Sequence, residues 1–186
     1  MAVALSCAHA SPRPAAPFRR ASPYTTTLRV IRVAIDHVSL GYSLDGRIVS
    51  AFAPLRAAGY DFRYAAAGEP YQILVTRLAT TRCGSGARLG EWRRLQQQVA
   101  IAPECLTDDA ALRWVMVHEF LHSRNCLHVC RTPDEVLVQR RVGDPCSGVP
   151  FGRAVLNPLS DYDGEDSPSE LTSLDMAELH RVGAVP

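Results

Sequence analysis

Four residues within one eleven-residue stretch have the types and spacing of a metal site with a base beside it. His118 and His122 are four apart, so on a helix they share a face and can address one metal ion. Glu119 adjoins the pair, and its carboxylate can reach a water at that ion without itself being a ligand. His128 follows six residues after His122 and cannot share that face if the helix simply continues. It reaches the same ion only if the helix stops and the chain turns back. Asn125 is placed for that stop, because after glycine it is asparagine that best tolerates the left-handed conformation in which helices often end. Three neutral imidazoles leave a metal ion an open coordination position, which is the arrangement of a catalytic rather than a structural site.

The stretch His118-Glu119-Phe120-Leu121-His122-Ser123-Arg124-Asn125-Cys126-Leu127-His128 resembles the metzincin zinc peptidases, whose pattern is H-E-x-x-H-x-x-G-x-x-H, with Asn125 in place of the glycine. Ala154-Val155-Leu156-Asn157-Pro158 is similar to the methionine-containing turn that follows the third histidine in that family, which reads M-x-P in the matrixin branch. Leu156 takes the methionine's place, a near-isosteric apolar exchange. Pro158 stands where some branches put a tyrosine as an extra ligand. Leu171-Thr172-Ser173-Leu174-Asp175 is similar to the start of the family's last helix.

The resemblance implies an α+β catalytic domain, with a twisted mixed sheet, an N-terminal helix, a central zinc-binding helix and a C-terminal helix. It implies one Zn2+ held by His118, His122 and His128, with Glu119 as the general base for a zinc-activated water that hydrolyses peptide bonds. The substrate is then a protein or peptide laid along an edge strand. That edge is expected near residues 83–90, and the pocket for the side chain after the cleaved bond near 150–159. A different class of function shares these ligands: a zinc-bearing binding or assembly domain with little turnover, in which Glu119 has no chemical task. A glutamate such as Glu135 as third ligand is the weaker arrangement, because His128 already fits.

The rest of the chain must position these groups. Its 186 residues suffice for one domain with a substantial core, and 47% hydrophobic and 21% charged residues are ordinary for a globular protein. The net charge is +1 and all 20 basic residues are scattered arginines, so nothing favours nucleic acid or an anionic membrane as partner. No apolar run approaches the ~20 residues that span a bilayer. Residues 1–26, with Pro12, Pro14, Pro17 and Pro23, read as an extended leader whose start can be a signal remnant, and 27–186 as the peptidase-like domain. Six cysteines (Cys7, Cys83, Cys105, Cys126, Cys130 and Cys146) point to disulfides that pin the loop after the helix, and so to a secreted or extracytoplasmic setting. A second zinc site on Cys126 and Cys130 is the competing reading. The acidic run 161–166 has calcium-type ligands, but its glycine is misplaced for the helix-loop-helix calcium loop, and a solvated loop is the simpler reading. His37 and His180 have no partner pattern.

Hydrophobic patterning supplies the frame. Strands are expected over Thr27–Ile35, Tyr60–Tyr64, Tyr71–Leu78 and Gln98–Ala102, and a helix over Ile48–Ala58, kinked at Pro54 and stopped at Gly59. Residues 83–90 are glycine-rich and read as irregular. The zinc helix follows, capped by Thr107 and apolar nearly all round, as a central buried helix is. A long loop over 129–155 holds a short helix at Glu135–Arg140. Thr172 with Asp175 forms a capping box for the last helix, which Gly183 closes.

Overall fold

The structure is a computed structural model that describes residues 28–79, 82–84, 87–158, 168 and 170–185. The leader, the acidic run and most of the 159–169 segment lie outside the described residues. In chain order the elements are β1 (Arg29–Ile35), α1 (His37–Leu40), α2 (Asp45–Ala51), a 3-10 turn (Ala53–Ala58), β2 (Tyr60–Tyr64), β3 (Ile73–Arg77), β4 (Gly90–Arg93), β5 (Gln98–Ile101), α3 (Asp109–Ser123), α4 (Pro133–Arg141) and α5 (Ser173–Arg181).

The strands form one five-stranded mixed sheet in the order β2-β1-β3-β5-β4. Neighbours pair in parallel except β4, which runs antiparallel to β5 as an edge, with Gly90 opposite Ile101 and Arg93 opposite Gln98. The patterning anticipates β1, β2, β3 and β5. The edge that the resemblance implies near residues 83–90 is strand β4, which begins at the last of them, Gly90, and runs to Arg93. The single kinked helix expected over Ile48–Ala58 is instead split: α2 closes at Ala51, and the chain continues as a 3-10 turn with Pro54 near its start to Gly59, whose φ of 87° needs glycine.

Helix α3 packs on β4, β5 and α2. Its cap is Asp108, one residue beyond Thr107, with the carboxylate accepting from Ala111 N at 2.7 Å. Ala111, Leu112, Trp114 to Val117, Phe120 and Leu121 are all buried. The far end is anchored by aromatic packing: Phe120 meets Phe62 and Tyr60 edge to face at 4.9 and 5.0 Å, and Phe52 stacks on Phe62 at 4.2 Å. A helix sunk into the core this way cannot rotate its ligands without disturbing the packing of the whole sheet.

Two disulfides are formed, Cys83–Cys105 before and after the β4–β5 hairpin and Cys130–Cys146 across the loop that contains α4. The second pins the post-helix loop and removes Cys130 from any cysteine zinc site. Cys126 is buried and free, its thiol pushed up to about 12 chiefly by burial. Among the described residues no helix is long and apolar enough to cross a membrane.

Candidate metal centre

Helix α3 ends in a turn that reverses the chain. Asn125 takes φ 64°, and the hydrogen bonds Asn125 N to His122 O (3.0 Å) and Cys126 N to Leu121 O (3.2 Å) are the two bonds of a Schellman ending. His118 and His122 project from the last two turns, and the reversed chain returns His128 to face them. The three Nε2 atoms lie 2.9 Å (His118 to His122), 3.1 Å (His118 to His128) and 3.1 Å (His122 to His128) apart. They form a cluster able to hold one metal ion.

The other ring nitrogens decide what those three atoms offer. His118 Nδ1 is 2.8 Å from the Val155 carbonyl, and His122 Nδ1 is 2.9 Å from that of Cys126. A carbonyl only accepts, so each Nδ1 carries the proton and each Nε2 presents a bare lone pair inward. His128 Nδ1 lies 3.0 Å from Asp144 Oδ2, which asks for the same tautomer. Lone pairs converging without protons repel one another and call for a cation between them. Tetrahedral zinc with bonds of 2.0–2.1 Å sets nitrogens about 3.3 Å apart, close to the observed triangle, so the residues present fit the ion.

The electrostatics agree. Burial, reinforced by the neighbouring His122 and His128, pushes His118 well below the ordinary histidine value, and burial takes His122 down to about 4. Both rings are thus neutral ligands near pH 7. The Asp144 contact with His128 holds that carboxyl below its ordinary value.

Glu119 is buried under edge strand β4. Burial pushes its carboxyl up to about 8, against the Trp92 main-chain N–H, which favours the ionised form. Gly90 makes this approach possible: a Cβ there would lie 2.5 Å from Val115 Cγ1 and 3.0 Å from Glu119 Oε1. The cleft above the histidines has a volume of about 880 Å³. One wall is β4 and its lead-in, with Arg88, Gly90, Glu91 and Trp92. The opposite wall is α4 and its exit, with Val138, Gln139, Val142 and Asp144. From the 150–159 segment only Pro158 lines the cleft among the described residues, so the far wall comes from α4 instead.

Beneath the cluster runs the turn Ala154–Pro158, with Leu156 fully buried. Helix α5 holds it. Asp175 closes the expected capping box with Thr172, and its carboxylate also accepts from Val155 N (3.1 Å) and Leu156 N (2.9 Å). Glu178 accepts from Leu127 N at 2.8 Å, next to His128. Asn157, also fully buried, donates to Val129 O (2.7 Å) and Gly152 O (2.9 Å). The capping box was visible in the sequence. The second duty of Asp175, and the parts played by Glu178, Asn157, Asp144 and Gly90, were not. Glu135 stays with α4, accepting from Arg131 N, and is no part of the cluster. His37 pairs with Asp45 and Tyr64 elsewhere.

No family model and no curated protein matches the sequence. The structure does match that of myroilysin, a metzincin, with a TM-score of 0.53 over 89% of this chain and 88% of that one, at 14% identity. The fold is the metzincin fold. Within that fold, two of the three clustered histidines sit on central helix α3 and the third on the chain that returns beyond it.

Proposed function

We propose that the chain is a zinc-dependent endopeptidase. The observation that carries this reading is the convergence of three histidine Nε2 atoms within 3.1 Å of one another beside a buried carboxylate at the floor of an open cleft. His118, His122 and His128 would hold the ion, which supplies a Lewis acid to polarise the scissile carbonyl and to acidify water. Glu119 takes a proton from the attacking water and delivers it to the leaving amine nitrogen. Its raised proton affinity suits that work, since a carboxyl with an ordinary value would hold the proton too weakly, and a nearby dication moderates the rise. Strand β4, which ends the sheet among the described residues, suits an extended peptide laid along it by strand addition. The Leu156–Pro158 turn serves as the apolar platform under the ligands, the place a methionine takes in the family. The two disulfides support an extracytoplasmic setting.

The test incubates purified protein with an unfolded protein substrate, with and without a zinc chelator, beside Glu119→Ala. Chelator-sensitive cleavage is expected from the wild type. Glu119→Ala should retain one zinc per chain and lose turnover by several orders of magnitude, and His128→Ala should lose the zinc. Wild-type protein that binds one zinc and cleaves nothing would overturn the reading in favour of a binding domain.

A further inference from the structure

The three histidines are not aimed by the same kind of group. His118 and His122 are held through main-chain carbonyls, whereas the ring of His128 meets a side chain, Asp144 Oδ2 at 3.0 Å. Asp144 is itself placed with care. Helix α4 closes as α3 does: Gly143 takes φ 79°, Gly143 N donates to Arg140 O (3.3 Å) and Asp144 N to Gln139 O (3.0 Å). This second Schellman ending sets Asp144 at a fixed position beyond the helix. The following residues then grip the main chain of the ligand. Cys146 forms a parallel bridge with His128, and Ser147 N donates to His128 O at 2.6 Å. Cys146 is also bonded to Cys130, two residues past His128. The excursion 131–145 is thus a loop tied at both ends to the third ligand, with its own helix delivering a carboxylate to that ligand's ring.

We propose that Asp144 is the positioning residue for His128, and that the Cys130–Cys146 bond, by closing the excursion, keeps Asp144 in place and so sets how tightly the metal is held. The inference rests on the zinc reading above. A carboxylate that accepts from Nδ1–H locks the ring's tautomer and orientation and raises the basicity of Nε2 toward the ion. Without the disulfide, the loop's ends gain freedom, and the carboxylate spends less time against the ring.

The experiment measures zinc affinity by competition with a chromophoric chelator, using full-length wild type, Asp144→Ala, Asp144→Asn and the Cys130→Ser/Cys146→Ser pair, with and without Asp144→Ala. The cobalt-substituted absorption spectrum and the melting temperature of metal-free protein are recorded alongside. Asp144→Ala should weaken zinc by about 10- to 100-fold and shift the cobalt bands, while the metal-free melting temperature holds. Asp144→Asn keeps an acceptor oxygen and should recover part of the loss. The double serine variant should weaken zinc less than Asp144→Ala, and adding Asp144→Ala to it should cost less than in the wild type, since both act through one contact. Wild-type affinity in Asp144→Ala would overturn the proposal. So would equal losses in the Asn and Ala variants, or a fully additive combination. Wild type that binds no zinc would sink the metal reading as a whole, while zinc binding without peptide cleavage would sink only the endopeptidase reading.

Discussion

The half of the metal cluster that faces α5 and the half that faces α4 are built differently. His118 is fixed by the Val155 carbonyl, and that carbonyl is fixed in turn by Asp175, which is fully buried and makes four hydrogen bonds, two to the turn and two to Thr172. On the other side His128 depends on Asp144, whose side chain is half exposed, at the end of a helix that leaves Leu137, Val138 and Val142 open to solvent. The first half is continuous with the folding core, so its geometry is protected by global stability. The second is an appendage, and it can change without unfolding the domain. Stability and metal geometry should therefore separate in mutants of the α4 side and fall together in mutants of the α5 side.

The hardest test of that contrast is Asp175→Ala. It strips the acceptor from Val155 N, Leu156 N, Thr172 N and the Thr172 hydroxyl in one step, leaving buried donors unpaired at a cost of about 3 kcal/mol. A drop in the denaturant midpoint of that size, together with weaker zinc binding, is expected. Retained stability with weakened zinc would show that the α5 side is no more part of the core than the α4 side.

Protonation gives the next largest effect. In metal-free protein Glu119 titrates near 8 rather than at its ordinary 4.5. The folded state then binds more protons than the unfolded state between those values, so this group's contribution is full at low pH and is lost as pH rises toward 8. His118 and His122 act oppositely. Their lowered values make the folded state bind fewer protons below 6.5, so stability rises with pH up to that point. Above 6.5 only the Glu119 effect remains of the three. Metal-free protein should therefore lose stability from pH 6.5 to 8, by at most roughly 1.4 kcal/mol per unit. Glu119→Gln should flatten that decline, and an unchanged slope in thermal melts would contradict the buried placement of the carboxyl.

Gly90→Ala sharpens the comparison from the cleft side. The added methyl group meets Val115 and Glu119, and should cost about 1–2 kcal/mol by overpacking. Because it displaces the carboxylate and not the ligands, peptidase turnover should fall while zinc affinity stays at the wild-type value. Loss of zinc would mean that β4 supports the histidines as well as Glu119.

How much of this was legible in the sequence follows the same division. The histidine spacing, the helix stop at Asn125 and the strands of the sheet interior are local patterns, set by periodicities of two and 3.6 residues and by one left-handed turn. They carried over to the structure with shifts of a residue or two, such as the cap moving from Thr107 to Asp108. Edge strand β4 was not legible. Gly90-Glu91-Trp92-Arg93 has no alternation, and its glycine answers to the proximity of α3, which is tertiary. Asp175 shows the same limit within one residue: its bond to Thr172 is local and readable, while its bonds to Val155 and Leu156 cross 20 and 19 positions. Asp144 reaches His128 only because α4 and the disulfide fold the intervening chain back, and nothing in its sequence surroundings marks it.

The smallest effect tests the one point at which local sequence and cluster geometry meet. Asn125 in the left-handed conformation lets Cys126 come back over the helix end, so that its carbonyl accepts from His122 Nδ1. Glycine adopts that conformation without strain but adds freedom to the unfolded chain, and the two nearly cancel. Asn125→Gly should therefore change stability by less than about 1 kcal/mol and leave zinc affinity as it is. Asn125→Val should be worse on both counts, because a β-branched residue resists positive φ and any relaxation of the turn pulls the Cys126 carbonyl off His122. Denaturant titrations and zinc competition on the two variants decide it: equal behaviour of the glycine and valine proteins would mean that the helix ending does not aim His122, and that the main-chain half of the cluster is held by α5 alone.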